Sequence, residues 1–385
     1  MKMNNMYFGE VSVEKAYTDS GIVKSINDSF TYAIESEQPY SLQYLTLMPL
    51  SGSTTFGLSG TSNTFQYSLD NGTSWNNLTS ANTVTTSTPV LLKATSPTIS
   101  QDIGIGNITA SNSFDLQGNV MSLLYGDNFS DKTDLTGKAY VFSKLFKDNA
   151  YLENAENVIL PATTIAESCY RNMFDRCTSM KTSPKILPAM TLAANCYRGM
   201  FVLTKISKIP ELPATTLAES CYEYMFQLCN NLKVISDNDY EHWKNPNAPK
   251  KLPATTLAPR CYANMFYECT GLTNVADLYL PSTTLASECY FQMFRRCSNI
   301  TVAPKLPAPT LVYQCYRAMF AECSKLVHIR CCATNISAEN CLYYWVGGVA
   351  SSGTFFKSPD MNENTYQRGQ NGIPKNWYVR DNSTC

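Results

Sequence analysis

Between Leu160 and Phe320 apolar residues come as adjacent pairs separated by two polar or variable positions, Cys-Tyr-x-x-Met-Phe, and a Leu-Pro-Ala-Thr-Thr-Leu-Ala phrase precedes each block. The copies open at Leu160, Leu187, Leu212, Leu252, Leu280 and Leu306, in steps of 27, 25, 40, 28 and 26 residues. A period in the twenties is too short for a domain and suits one coil of a solenoid, whose apolar side only the next coil can cover. Within a copy, Cys169, Met173 and Cys177 fall at i, i+4 and i+8, which predicts one face of a helix of two to three turns. Thr164-x-x-Glu167 and Thr216-x-x-Glu219 read as capping boxes at its start. Stretches such as 272–281 predict a strand that pairs with its copies and stops at proline, which cannot donate a ladder hydrogen bond.

Ahead of the repeats the period changes to two. Residues 1–40 hold alternating runs at 7–13 and 21–26, which predict one or two strands or an arm that a partner orders. Residues 41–112, rich in Ser, Thr and Gly, carry strand-like runs at 42–50, 64–69 and 90–94, the pattern of a small antiparallel β-sandwich. Ser68-Leu69-Asp70-Asn71-Gly72-Thr73-Ser74-Trp75 fits the Asp-box hairpin of sialidases, structural in those enzymes; the Asp-Asn-Gly turn signal accounts for it here. Residues 113–159 read as a linker and a degenerate N-terminal cap, since 141–149 echo the repeat without its cysteines. Residues 335–345 align as a seventh unit, closing a solenoid over 160–345, and 346–385 add capping strands near 353–357 and 372–379. The expected fold is mainly β with short helices, a β-sandwich-like region followed by a solenoid of about seven coils.

All 15 cysteines lie after residue 168. One column holds Cys169, Cys196, Cys221, Cys261, Cys289, Cys315 and Cys341; a second holds Cys177, Cys229, Cys269, Cys297 and Cys323, with Thr204 replacing one member. On a helix the two columns would stand about 12 Å apart, beyond disulfide reach, and Cys-x7-Cys is not zinc spacing. The columns therefore read as buried thiols filling a narrow core, and so many free thiols suggest assembly in a reducing cytoplasm.

Charge and site chemistry narrow the function further. Net charge is −1, every arginine lies after residue 150, and no tract is basic enough to suggest nucleic acid. No apolar run is long enough to span a membrane, and the first residues lack the apolar core of a secretory signal. Two histidines, no nucleophile motif, no glycine-rich phosphate loop and no metal-spaced carboxylates leave no catalytic residue, metal or cofactor to name, and the chain reads as a non-enzyme. Candidate ligand contacts are Tyr240, His242 and Trp243, in the insertion that lengthens the 212-to-252 step, and Arg171, Arg198 and Arg317, which recur after Cys-Tyr and could face an anionic surface.

The pattern Leu-Pro-x-x-x-Leu-x-x-x-Cys-Tyr-x-x-Met-Phe-x-x-Cys-x-x-Leu resembles the BspA-like leucine-rich repeats of bacterial surface proteins. The match is to Met173-Phe174-x-x-Cys177-x-x-Met180 and Met265-Phe266-x-x-Cys269-x-x-Leu272. These units are longer than the family's, and Cys-Tyr replaces its usual Ile-Gly. The layout, with Leu-Leu-Tyr-Gly-Asp-Asn-Phe at 123–129 ahead of the repeats, is similar to proteins of Bacteroidales gut bacteria and their tailed (crAss-like) phages. That resemblance implies a virion head fibre, capsid decoration or tail fibre, assembled in the host cytoplasm and sited on the virion surface. It would attach to a capsid or tail protein through the N-terminal region, form a homo-oligomer, favoured as a trimer, and present the solenoid to a host glycan or protein. The alternative it implies is a secreted or surface-anchored bacterial adhesin.

Overall fold

The structure is a computed structural model that describes residues 16–18, 21–26, 32–35, 40–233, 252–278, 280–362, 366–383 and 385, with backbone alone for residues 16–35 and Ser41. Its described residues are mainly β, with one four-residue helix, α1 (Ser122–Tyr125). Strands β1 (Ala16–Thr18), β2 (Gly21–Ile26) and β3 (Tyr32–Glu35) form a small antiparallel sheet.

The alternating stretch that follows makes two sheets. Strands β4 (Leu45–Pro49), β5 (Thr54–Ser59), β6 (Phe65–Ser68), β7 (Asn76–Leu78), β8 (Thr83–Thr86), β9 (Val90–Lys93) and β10 (Asn107–Ala110) cover the expected runs. One sheet has the order β10-β5-β8. The other has the order β12-β11-β4-β9-β6-β7 and takes in β11 (Phe114–Asn119) and β12 (Leu152–Ile159), so it continues past residue 112. Phe56 meets Phe114 edge-on between the sheets, ring centroids 5.3 Å apart, and Leu45, Leu47, Phe65, Val90 and Leu92 are fully buried. The Asp-box hairpin joins β6 to β7. Asp70 accepts from the Ser74 amide (2.9 Å), the Ser74 hydroxyl (2.6 Å) and the Ser68 hydroxyl (2.7 Å), which together hold its carboxyl down at about 2.

β12 is parallel to β11 and delivers the chain to Leu160, where the repeats begin. Here the helix expectation fails. The block around Cys169, Met173 and Cys177 is a run of tight turns in which every fourth residue has positive φ: Ser168, Asn172 and Arg176, then Asn195, Gly199 and Leu203, and so on to Asn340, Tyr344 and Gly348. Backbone donors divide into two sets. Cys169, Arg171, Met173 and Asp175 amides bond three residues back, closing turns, whereas Tyr170, Asn172 and Phe174 amides donate to Cys196, Arg198 and Met200 carbonyls in the next repeat. The reason lies in the period. Two-in, two-out repeats every four residues, whereas an α-helix needs 3.6 and would drift by about 40° at each step. The predicted capping threonines accordingly start no helix: Thr164 bridges Asp134, and Thr216 bridges Thr191 and Thr256, in parallel. Strand 272–281 is also not formed as expected; its described part carries one bridge residue, Asn274.

Identical side chains then stack. Phe142, Tyr170, Tyr197, Tyr222, Tyr262, Tyr290 and Tyr316 make one column, and Phe146, Phe174, Phe201, Phe226, Phe266, Phe294 and Phe320 another, with neighbouring ring centroids 5.5–5.9 Å apart. Trp345 terminates both columns and is fully buried. The tyrosines of the first column are buried in the core along their whole length.

Both ends are closed by other parts of the chain. The backbone amides that link one turn block to another, such as those of Tyr170, Asn172 and Phe174, donate toward the C-terminus, so the first block leaves carbonyls bare. The sandwich fills them: Ile105 and Ile108 amides donate to Val141 and Leu145 at 3.0 and 2.7 Å, and Asn107 Nδ2 donates to Lys144 and Lys147 at 2.8 and 2.9 Å. At the far end the Tyr344 amide donates to Asn371 Oδ1 and the Val346 amide to the Gln370 carbonyl. Beside this end, β13 (Val302–Leu306), β14 (His328–Cys331), β15 (Thr354–Lys357) and β16 (Tyr378–Asp381) form a four-stranded parallel sheet.

Candidate interaction surface

The repeat interior is chemically sealed. Thirteen cysteines are free and buried. Burial pushes the Cys169 and Cys261 thiols up to about 12 and raises Cys177, Cys196, Cys269 and Cys289 in the same direction, so none is a ready nucleophile. The second column has a hydrogen-bonding role that its spacing alone did not reveal. Cys177, Cys229, Cys269, Cys297 and Cys323 each donate Sγ–H to a phenylalanine carbonyl of the preceding repeat, at 2.9–3.1 Å. Thr204, the stand-in, donates instead to the carbonyl of Phe201 in its own repeat and lies 3.3 Å from Cys229 Sγ. Two cysteines fall outside the free set: Cys332 and Cys385 form a disulfide that ties the last residue to the strand-side edge of the final repeats.

The outer side of the turn blocks carries the variable residues, and not all of them are exposed. Glu223, Asn264 and Ala318 are buried there, because the four-residue turn lays each side chain against the next repeat. Arg198 Nε pairs with Glu223 Oε2 at 3.1 Å, and Arg260 bridges Glu223 and Glu288. Arg295 and Arg296 both reach Glu322 at 2.8 Å, and these two guanidinium groups hold its carboxyl below the usual range. Arg317 lies between the rings of Phe291 and Tyr343, 5.7 and 5.2 Å from their centroids, and donates to Gln314 Oε1. Arg171 makes no ion pair among the described residues, and its buried Nε has no hydrogen-bond partner there. The three arginines are thus spread along the face in three different settings. Tyr240, His242 and Trp243 lie outside the described residues.

A second polar cluster sits on the sandwich. Lys93 Nζ donates to Asp127 Oδ1 at 2.7 Å and lies 4.0 Å from the Trp75 ring, while Tyr44 Oη donates to the same carboxylate oxygen. Burial and the Asp127 charge push the Tyr44 phenol up to about 12. Every group here has a partner, so the cluster works as a clasp between β4, β9 and the segment after α1. A shallow groove of about 100 Å³ runs between Tyr40, the end of β12 and Lys185–Pro188. Among the described residues no set of three or more His, Cys, Asp or Glu could hold a metal ion, and no helix is long and apolar enough to cross a membrane.

Comparisons of the chain with family models, curated proteins and solved structures match none of them.

Proposed function

We propose that this is a non-enzymatic structural protein of a tailed-phage virion, a head fibre, capsid decoration or tail fibre, whose repeats form a leucine-rich-repeat-type solenoid of about seven coils. Its N-terminal region would attach to a capsid or tail protein and its solenoid would meet a host-surface glycan or protein. Trimeric assembly is the oligomeric state the fibre reading expects. The observation that carries the architectural half is the pair of aromatic columns running unbroken from Phe142 and Phe146 to Trp345. A body built this way is stiff, gains its stability from neighbour to neighbour, and offers long outer faces rather than a cleft. The virion half rests on the sequence resemblance.

A second reading, a secreted or surface-anchored bacterial adhesin, is favoured by one specific observation. The Cys332–Cys385 bond belongs to an oxidising environment rather than to the reducing cytoplasm that the free thiols suggested. Quantitative peptide mass spectrometry on density-purified phage particles beside washed host cells separates the two. A fixed copy ratio in particles is the expected result; recovery in the host envelope alone would replace the virion reading with the adhesin.

A further inference from the structure

The four-stranded parallel sheet has one face packed on the core and one open. Ile329, Cys331, Phe355 and Lys357 turn inward and are buried, and Lys357 holds Asp381 at 2.7 Å. Strand alternation sends their neighbours outward. In register across the sheet, Arg330 on β14 opposes Phe356 on β15, which opposes Arg380 on β16; the row beside it is His328, Thr354 and Tyr378. Lys305 on β13 continues the first row.

This row differs from most of the turn face, where Arg171 and Arg317 alone of the arginines named above lack an ion pair among the described residues, in how its charge is met. Arg198, Arg260, Arg295 and Arg296 each pair with a glutamate, but Arg330 and Arg380 are exposed and make no ion pair among the described residues. Asp381, next to Arg380 in the chain, cannot serve it, because the pleat turns that carboxylate toward Lys357. Arg330 is held in place by Phe356, 5.5 Å below its guanidinium, with the His328 ring 6.2 Å from the same phenyl group. Tyr378 is 75% exposed, the most open large aromatic among the described residues. Two strand spacings put the two arginine Cα atoms roughly 10 Å apart on a flat surface. Fixed cations at that separation, with an open aromatic ring alongside, match a linear polymer that carries regularly spaced anions and flat apolar sugar faces.

We propose that this face, centred on Phe356 between Arg330 and Arg380, binds an acidic polysaccharide: the guanidinium groups pair with its carboxylates or sulfates and Tyr378 stacks on a sugar ring. The proposal rests on the adhesion part of the reading above and is independent of the virion part. Guanidinium groups suit planar, bidentate recognition of such anions, and attraction between exposed charges weakens with salt.

The test is calorimetric and fluorescence titration of the full chain with size-defined polygalacturonate and dextran sulfate, beside neutral dextran and a single-stranded oligothymidylate. Saturable binding to at least one acidic glycan, weakened by added salt and absent for neutral dextran, is expected. The double variant Arg330→Gln/Arg380→Gln should lose at least about tenfold in affinity, since each charge-assisted contact contributes on that scale. Tyr378→Ala should lose about three- to fivefold. Arg296→Gln, on the turn face, should bind as the parent does, and unchanged circular dichroism in each variant excludes misfolding. An affinity untouched by the double substitution, no saturable binding to either acidic glycan, or tighter binding to the oligothymidylate would each overturn the proposal. None of these outcomes bears on whether the chain is found in virions.

Discussion

The sandwich and the repeat stack solve the same problem, satisfying β-type backbone donors around an apolar core, in opposite ways. In the sandwich, antiparallel strands from distant positions meet, as β4 does with β9 and β11, and its core is a mixture of Leu, Phe, Val and Ile. In the stack, each repeat lies against its sequence neighbour and each side chain against its own copy. The sandwich contains no cysteine, whereas the stack buries thirteen free thiols. A core made of one motif repeated concentrates whatever weakness that motif has, and here the weakness is acidity.

The largest effect should therefore come from alkali. Burial raises the thiols above their ordinary value near 9, to about 12 at Cys169, so the folded state keeps protons that the unfolded chain releases. The contribution is fully present below the ordinary thiol range and is lost as pH rises from about 8.5 toward 12. At pH 9 each thiol that the fold keeps protonated costs about 0.4–0.8 kcal/mol, and because the stack holds many such thiols their sum is on the order of a domain's whole stability. Hydrogen exchange followed against pH should show the stack losing protection between pH 9 and 10 while β4, β9 and β11 keep theirs. Equal loss in both regions, or a stack still protected at pH 11, would contradict the sealed-thiol account.

Next in size is Trp345→Ala. It removes the end of both columns and should cost about 3–5 kcal/mol, with exchange rising in residues 310–360 and unchanged in the sandwich. Gly104→Ala probes the seam between the regions. Gly104 has φ +61°, and a Cβ there would lie 2.4 and 2.5 Å from the Tyr140 and Val141 carbonyls. A loss of about 2 kcal/mol or more is expected, spread over both regions, because the Ile105–Val141 bond beside it would have to shift. A loss confined to the sandwich would mean that the two cores are not coupled there.

The smallest effect has the opposite sign. Leu203 sits at φ +59°, about one-third exposed at 36%, at the third turn position of its block, which glycine fills at Gly348. Leu203→Gly should stabilise by about 1 kcal/mol in denaturant unfolding, the relief of a left-handed side-chain clash exceeding the added freedom of the unfolded chain. Destabilisation would show that the Leu203 side chain packs on the stack more than its exposure indicates.

Much of the stack is legible from single residues. The spacing of Cys169, Met173 and Cys177 marks them as interior, and all three are fully buried. Phe142 and Phe146, in a segment that only echoes the motif, still begin the two columns. The turn blocks read as helices in the sequence because i, i+4, i+8 fits a helix as well as a four-residue turn over so short a span. The asparagines at Asn172, Asn195, Asn264 and Asn340 were the available sign, since asparagine tolerates positive φ. The Arg198–Glu223–Arg260–Glu288 chain and the Cys332–Cys385 bond left no local trace at all.

By itself, the amino-acid sequence determined the repeat, its columns and which residues lie inside, because burial follows side-chain chemistry and a constant spacing brings each residue onto its own copy. Tertiary structure alone decided the backbone path of each block, since the amides of Tyr170, Asn172 and Phe174 find their acceptors only when the next repeat is in place. It also decided which charges are neutralised. Arg330, Phe356 and Arg380 are 24 to 26 residues apart in sequence and become one row only when three parallel strands set them at adjacent spacings.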